Sequence, residues 1–411
     1  MLLRPMDAAR EARTREGVRI ALLGLIAFLT LVPVTLPVSV LRAFVQERFG
    51  VSELLTSLFM SINMIGAVVS APLAGALADR FGRRRELLAA GLVLDAVLLW
   101  SLTLPSSFPV FMLLRFAEGA AHIFALSLVL ALASTNQPEE RRGRVMGMVG
   151  GGITLGVAVG AMLGGFLGSA DPATPLRVGA AVACVGALMA WRLDGGGDGG
   201  REARPSLARI LAELRGQPLL LAPLAFAFVD RFTVGFYTTT FSLYLSGIHG
   251  LPSMRIGILI FVFMFPFALC SYPFGRLSER SSPVLMVCVG SVVYGIGTAL
   301  VTDWPLAWLP LLMVGLGVAS AVMFVPSMVL IANAAPSEAR GTALGAFNAF
   351  GSLGFIAGPA TGGFVSQAVA DLSGWEAGYR AAFRVAGAAE IVCVLVTLPF
   401  LMRLVRAGRA R

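Results

Sequence analysis

Long apolar runs separated by short polar segments make up most of this chain of 411 residues. A helix needs about 20 apolar residues to cross a hydrocarbon core of about 30 Å. Because backbone groups inside lipid must satisfy their own hydrogen bonds, each run of that length predicts a transmembrane helix. Twelve runs qualify, at 18–44, 54–78, 86–104, 108–133, 144–169, 176–193, 218–246, 254–277, 283–302, 305–333, 341–370 and 380–402.

The longest polar interruption runs from Asp194 to Gly216 and divides the predicted spans into six and six. Its Gly-rich, charged sequence is typical of a flexible linker. The predicted organisation is an N-terminal segment at 1–17, a six-helix bundle at 18–193, a linker at 194–217, a second bundle at 218–403 and a tail at 404–411.

The two predicted bundles share sequence features at a spacing of about 200 residues, which indicates an internal duplication. Two six-helix halves related by an axis along the membrane normal form a transporter architecture. The predicted fold class is therefore an all-α membrane protein with twelve transmembrane helices in two pseudo-symmetric bundles. The matching segments are Gly75–Arg80 with Gly275–Arg280, Pro138–Gly143 with Pro336–Gly341, and Gly156–Gly165 with Gly354–Gly363.

Composition supports this class and excludes others. Apolar residues make up 57% of the chain and charged residues 13%, whereas soluble proteins carry roughly 25% charged residues. A soluble multidomain enzyme, a disordered protein and a secreted disulfide scaffold are thereby excluded. The four Cys residues lie in apolar stretches without metal-ligand spacing, so we expect no disulfide and no metal site.

All 32 basic residues are Arg, and their placement predicts the topology. Most of them lie in segments that are cytoplasmic if both termini are cytoplasmic, in agreement with the positive-inside rule. We therefore expect a multi-pass protein of the inner (plasma) membrane whose first span is retained. Nucleic acid is not an expected partner, because the basic residues form no clustered face on a soluble fold. The outer segments hold Arg42, Arg48, Arg177, Arg255, Arg380 and Arg384.

The loop between spans two and three carries the most specific motif, Gly75-Ala-Leu-Ala-Asp79-Arg80-Phe-Gly82-Arg-Arg-Arg85. It resembles the signature G-x-L-a-D-R-x-G-R-[KR] of the major facilitator superfamily of transporters, and the resemblance extends over nearly the whole chain. The resemblance implies a cytoplasmic charge cluster that holds the two halves together. The gating residues predicted in this way are Gly75, Asp79, Arg80, Gly82, Arg83 and Arg84, with Arg142, Glu279, Arg280 and Arg340 from other cytoplasmic loops.

Spans five and eleven carry rows of glycine that predict close helix packing. The row in span five also resembles the motif G-x-x-x-G-P-x-x-G-G, which the family links to drug–proton antiporters. Ala161 stands where that motif has Pro, whereas the complete form occurs in the other half. The predicted packing residues are Gly156, Gly160, Gly164, Gly354, Gly358 and Pro359.

Ionisable residues inside the spans are the main functional candidates, because charge at mid-bilayer is costly. Arg115, Glu118 and His122 have the spacing of one helix face on span four. The segment that begins at Arg115 resembles the family's R-x-x-x-G segment, which is tied to proton coupling. The alternatives are a proton relay and a static Arg115–Glu118 pair with His122 as a satisfied polar residue.

Span seven contains Asp230 and Arg231, which as neighbours point about 100° apart on a helix. We expect Asp230 to act on protons or substrate and Arg231 to bind substrate. Asp95 and Glu390 lie on spans that are peripheral in the family, which predicts structural pairing within each half. The proton-coupling set is therefore Glu118, His122 and Asp230.

The chain has no phosphate-binding loop and no catalytic constellation, so we predict a secondary transporter that works by alternating access and not an enzyme. The first hypothesis is proton-coupled efflux of a lipophilic or amphipathic small molecule. The second is uptake or exchange of a small organic anion by Arg115 and Arg231, and the third is a transporter-like membrane sensor. The predicted substrate-binding residues are Asn63, Arg115, Arg231, Phe236, Tyr237, Phe265, Phe324 and Asn348.

The expected partners are a small-molecule substrate, protons and the lipid bilayer. We expect no bound cofactor, because a proton gradient would supply the energy. We expect the chain to act as a monomer.

Overall fold

The computed structural model describes residues 4–81, 83–134, 139–193, 220–278, 280–335 and 340–409, and these form helices joined by short turns. The predicted linker at 194–217 and the ends of both tails lie outside the described residues. The helices are α1 (Arg4–Thr35), α2 (Glu53–Phe81), α3 (Arg84–Ser101), α4 (Phe108–Ser134), α5 (Glu139–Leu167), α6 (Thr174–Ala190), α7 (Leu221–Thr238), α8 (Thr240–Gly247), α9 (Ser253–Ser278), α10 (Pro283–Ala299), α11 (Leu309–Ala334), α12 (Arg340–Ser373) and α13 (Trp375–Arg409).

Within the described residues, eight helical segments are long and apolar enough to cross a membrane, and α6 and α10 are shorter apolar helices. The two remaining predicted spans depart from that pattern for visible reasons. Helix α3 begins with Arg84, Arg85 and Glu86 and also contains Asp95. The seventh run divides into α7 and α8.

The first and seventh predicted spans are not continuous α-helices. Beyond Thr35 the first run continues as a 3₁₀ turn at Leu36–Val40 and a wider turn at Arg42–Glu47. The seventh run breaks at Thr239, where φ is −133° and ψ is −75°. The hydroxyls of Thr238 and Thr239 both donate to the carbonyl of Gly235, so side chains there compete for a carbonyl that a regular helix would use.

The helices of the two halves pack in matching pairs. In the first half α1 packs on α5, α2 on α4 and α3 on α6; in the second half α7 packs on α12, α9 on α11 and α10 on α13. The halves meet through α2 against α12 and α5 against α9. This arrangement confirms the predicted all-α class of two related bundles.

Glycine turns mark the end of the bundle away from the chain termini, which we call the distal end. Gly50 follows the first span with φ of 61°, and Gly250 follows the seventh with φ of 60°. A side chain disfavours this left-handed conformation, so glycine is the residue that suits both turns. Their equivalent positions add a fourth match to the internal duplication.

Hydrogen bonds join the two halves in the part of the bundle nearer the distal end. Ser242 Oγ donates to the carbonyl of Val38 at 2.7 Å, and Ser61 Oγ donates to the carbonyl of Ile356 at 2.7 Å. Between α5 and α9, Gly165 abuts the backbone of Ser253, and Gly257 abuts the backbone of Ala161. The structure is thus closed at its distal end.

Replacing Gly363 with Leu is expected to open the distal end. A Cβ on Gly363 would lie 2.6 Å from the Cβ of Ser57 across the α2–α12 contact, so a larger side chain forces the halves apart. Spin labels at positions 169 and 371 should show a longer distance than in the unsubstituted protein. Gly345→Leu is the matched control on α12, since nothing lies within 4 Å of a Cβ there. An unchanged distance distribution for Gly363→Leu would contradict this account of the closed end.

Candidate functional site: a charge cluster inside the first bundle

A fully buried ion pair lies between α2 and α4. The Arg115 guanidinium donates to Glu118 Oε2 at 2.6 Å, and the amide of Asn63 donates to the same oxygen at 2.6 Å. Both charged side chains have no exposed surface. Glu118 Oε1 has no hydrogen-bond partner among the described atoms. One carboxyl oxygen of Glu118 therefore accepts two hydrogen bonds, whereas the other accepts none from the described residues.

The rest of the Arg115 side chain is enclosed by α2. Its guanidinium carbon lies 4.1 Å from the centre of the Phe59 ring, in cation–π geometry. Its Nε donates to the Phe59 carbonyl at 3.4 Å, and Nη2 lies 3.5 Å from the sulfur of Met60. Gly119 lies directly against the backbone of Asn63, which lets α2 and α4 approach closely enough for these contacts.

His122 and Asp95 complete the cluster from α4 and α3. His122 Nδ1 lies 3.8 Å from Asp95 Oδ2, which is too long for a hydrogen bond. His122 Nδ1 and both Asp95 oxygens have no hydrogen-bond partner in the described part of the chain. Asp95 also acts electrostatically on Arg115 and Glu118. The cluster therefore contains two carboxyl groups, one Arg and one His.

The sequence predicts structural pairing for Asp95 on a peripheral span. It does not place Asp95 among the functional residues. The structure places it beside His122 because α3 packs on α4. An Asp in the middle of an apolar run was the available signal. The prediction that Arg115, Glu118 and His122 share one face agrees with their joint burial in this cluster.

In the second bundle, Asp230 and Arg231 contact each other. Arg231 Nε lies 3.3 Å from Asp230 Oδ2, although the two Cα–Cβ bonds point in different directions. The expectation that the pair would face different points overlooked the length of the Arg side chain. Its guanidinium carbon lies 4.5 Å from the Phe324 ring centre and 5.3 Å from that of Phe355. Its side chain is 31% exposed, whereas Arg115 is enclosed.

The other predicted substrate-binding residues lie in different surroundings. Phe236 and Tyr237 are buried in the aromatic core of the second bundle, where the hydroxyls of Tyr237 and Thr298 are 3.0 Å apart. Phe265 is 44% exposed. Asn348 is also exposed, and its side-chain amide donates to the carbonyl of Leu344 on the same helix. Of the predicted substrate-binding residues, the structure therefore brings Phe324 together with Arg231 and, separately, Asn63 together with Arg115.

Sequence reasoning missed a second polar contact, at the distal end between the halves. The Tyr379 hydroxyl donates to Glu53 Oε1 at 2.8 Å, and Gln46 donates to Glu53 Oε2 at 3.4 Å. The backbone N–H of Glu53 donates to Gln367 across the interface. Glu53 is 2% exposed. It stands at the start of a predicted span, where a helix-terminal acid is ordinary, so the sequence held no distinctive signal.

A cavity of about 310 Å³ lies near this contact between the two halves. Ser39, Arg42 and Glu47 line it from the first half, and Ser246 and Ser253 line it from the second. None of the predicted substrate-binding residues is among the described residues that line it.

For most of the predicted gating residues, the structure does not describe the surroundings of the side chain. Arg83 and Arg280 are exposed, and Arg84 is partly buried at the start of α3. The surroundings of the others are not described, so their gating role stays a prediction. They are Gly75, Asp79, Arg80, Gly82, Arg142, Glu279 and Arg340.

The predicted packing glycines lie at helix crossings. Gly156, Gly160 and Gly164 abut α1 and the turn that follows it, and Gly354 and Gly358 abut α7. The ring of Pro359 also faces Gly235 on α7. In each case a backbone atom of the neighbouring helix occupies the space that a side chain would need.

Two related helical bundles, with ionisable groups buried inside each, are the architecture of a membrane transporter. A sequence model of the Major Facilitator Superfamily matches residues 23–241 and again 224–410, so the chain belongs to that family. The predicted family is confirmed. The family consists of transporters and not enzymes.

Relatives with described functions include resistance proteins. The chain is 28% identical over 363 residues to a chloramphenicol resistance protein of Streptomyces lividans, which covers 85% of this chain and 87% of that protein. It is 26% identical over 150 residues to the quinolone resistance protein NorA of Staphylococcus aureus, covering 36% of each.

Solved structures of the same fold include transporters for quite different substrates. The nucleoside transporter NupG superposes with a TM-score of 0.74 at 15% identity, covering 93% of this chain and 98% of that one. The D-xylose-proton symporter superposes with a TM-score of 0.77 at 15% identity, covering 94% and 97%. At this identity the likeness confirms the fold and leaves the substrate open.

Proposed function

We propose that this transporter couples proton movement to the efflux of lipophilic or amphipathic small molecules by alternating access. The observation that carries the proposal is the buried cluster of Asp95, Arg115, Glu118 and His122. Its carboxyl oxygens are only partly satisfied, in contrast to a fully hydrogen-bonded structural pair. The proton gradient supplies the energy, and no cofactor is needed.

The charges of the cluster account for one exchangeable proton. Asp95 and Glu118 contribute two negative charges when ionised, whereas Arg115 contributes one positive charge. His122 contributes a second positive charge only when it is protonated. Because an uncompensated charge inside the membrane costs several kcal/mol, one proton on His122 or on a carboxyl stabilises the cluster in its closed surroundings.

Helix α2 connects this proton to the interface between the halves. Asn63, which donates to Glu118, lies two residues from Ser61, which donates to Ile356 in the other half. Glu53 at the start of the same helix bonds Tyr379 of the other half. A change of charge at Glu118 therefore acts on the helix that holds both inter-half contacts, which is what coupling to alternating access requires.

The second bundle offers the surface for substrate. Phe324 and Phe355 flank Arg231, and Phe347 lies 6.1 Å from Phe324 between ring centres. Aromatic faces suit a flat or amphipathic compound. The resistance proteins among the relatives support export as the direction. With both termini in the cytoplasm, the distal end faces outward from the inner membrane.

The decisive experiment is substrate-driven proton movement in proteoliposomes with an imposed pH gradient. Adding a lipophilic cation should make the unsubstituted protein move protons, whereas Glu118→Gln should abolish that movement because it removes the titratable group. Glu376→Gln is the matched control, since this Glu is 70% exposed and far from the cluster in sequence.

Normal proton movement by Glu118→Gln would refute the coupling role of the cluster. An absence of flux for every compound in a broad panel would favour the sensor hypothesis over transport. Folding of each variant is checked by its retention time in gel filtration.

Exchange of a small organic anion is the second candidate, and the partly exposed side chain of Arg231 favours it. Arg115 is fully enclosed, whereas the Arg231 side chain is partly exposed, so Arg231 would carry the anion in the described conformation. Loss of anion accumulation in Arg231→Ala, with lipophilic cations moving no protons in the unsubstituted protein, would establish this candidate in place of the first.

A further inference from the structure

The second bundle contains a buried acid that the charge cluster does not use. Glu390, on α13, has no exposed surface, and neither carboxyl oxygen has a hydrogen-bond partner among the described residues. Two more buried groups near it are also unpartnered, namely Asp230 Oδ1 and the Tyr294 hydroxyl. Structural pairing within the half is the prediction for Glu390, and the described residues form no ion pair with its carboxyl group. Three buried polar groups without a partner in one region call for an explanation.

The hydroxyl groups beside Glu390 each have another acceptor within hydrogen-bond distance. Thr233 and Ser291 both lie next to its carboxyl group. The Thr233 hydroxyl donates to the Val229 carbonyl at 3.0 Å, and the Ser291 hydroxyl donates to the sulfur of Met323 at 3.4 Å. While these donors are engaged, the lone pairs of both hydroxyls can accept a hydrogen bond from a protonated Glu390. A neutral carboxylic acid, which has a proton to donate, fits these surroundings.

The charges around Glu390 lead to the same conclusion. Asp230 faces it from α7 and is paired with Arg231, whose single positive charge is thereby already matched. An ionised Glu390 would add an uncompensated negative charge beside Asp230 inside the membrane, which is strongly unfavourable. The other titratable groups that interact with it are Tyr237 on α7, Tyr294 on α10 and Cys393 on α13.

We propose that Glu390 is a second proton-binding site, which holds one proton at neutral pH and is completed by Asp230 and Tyr294. Release of that proton leaves a net charge of one negative on the group formed by Glu390, Asp230 and Arg231. The same α7 carries Arg231 at the aromatic substrate surface, so this charge would favour a cationic substrate there. The proton site stands on its own geometry, whereas its use in exchange rests on the function proposed above.

Infrared difference spectroscopy of the purified full-length protein tests the site without any transport. The unsubstituted protein at neutral pH should show the carbonyl stretch of protonated, buried carboxyl groups, and Glu390→Gln should lose the component of that band that Glu390 contributes. In Glu390→Asp the acid is retained, so the band should persist at a shifted frequency. Glu376→Gln, an exposed acid on the same helix, should leave the band unchanged.

An identical band in Glu390→Gln and in the unsubstituted protein would overturn the proposal. If Glu390→Gln does not fold, a band that fails to shift in Glu390→Asp would overturn it equally. If the band is assigned to Glu390 but the protein shows no proton-coupled transport, only the proposed function is refuted. The failure of the proton site and the failure of the proposed function are therefore distinguishable.

Discussion

Replacing Arg115 with Met is expected to destabilise the protein by about 3–5 kcal/mol, the cost of leaving one member of a buried ion pair without its partner. Glu118 would retain only the hydrogen bond from Asn63, inside a region without exposed surface. The loss is measured as a lower unfolding temperature in detergent. We also expect Arg115→Met to abolish proton coupling, because the charge balance of the cluster changes by one.

A double substitution distinguishes the loss of the Arg115–Glu118 ion pair from the loss of packing around the Arg115 side chain. In Arg115→Met with Glu118→Met, no uncompensated charge from this pair remains, so most of the lost unfolding temperature should return. Proton coupling should stay absent in the double variant, since Glu118 is gone. If the double variant unfolds at a lower temperature than the single one, packing around the long Arg side chain is the larger contribution.

Adding one methyl group at Gly119 is the second change with a large expected effect. A Cβ there would overlap the backbone of Asn63, and backbone cannot move aside as a flexible side chain would. Overpacking of this kind costs about 1–3 kcal/mol. Gly119→Ala should therefore lower the unfolding temperature and also weaken proton coupling, because it displaces α2 and the Asn63 donor.

Gly315→Ala provides the matched control. Gly315 lies within a helix, and nothing lies within 4 Å of a Cβ built on it. Ala is favoured over Gly in a helix by about 1 kcal/mol, so this substitution should leave the unfolding temperature unchanged or raise it. Equal effects of the two substitutions would show that the α2–α4 crossing tolerates more space than the structure indicates.

The sequence predicts the membrane fold well because hydrophobic runs and Arg placement depend on the bilayer more than on tertiary detail. It also predicts that Arg115 and Glu118 meet, since their spacing puts them on one helical face. Asn63, Asp95 and Tyr379 join their partners from other helices, and such contacts depend on crossings that no spacing within one helix reveals.

Asp230 and Glu390 show a further limit. Helical geometry suggested that Asp230 and Arg231 would point apart, yet a long flexible side chain bridges the difference. Glu390 lies on an outer helix of its half, and its place on the chain indicates nothing about a neighbour on α7. The neighbouring charge of Asp230 is evident only from the packing of α7 against α13.

The seam between α5 and α9 affects how the protein changes conformation. Gly165 and Gly257 put backbone against backbone there, without intervening side chains that could adjust in stages. A gap of about 1 Å already removes up to about half of the dispersion energy of such contacts. We therefore expect α5 and α9 to be either fully packed or fully separated at this contact. A partly open distal end, through which protons could leak, would then not be populated.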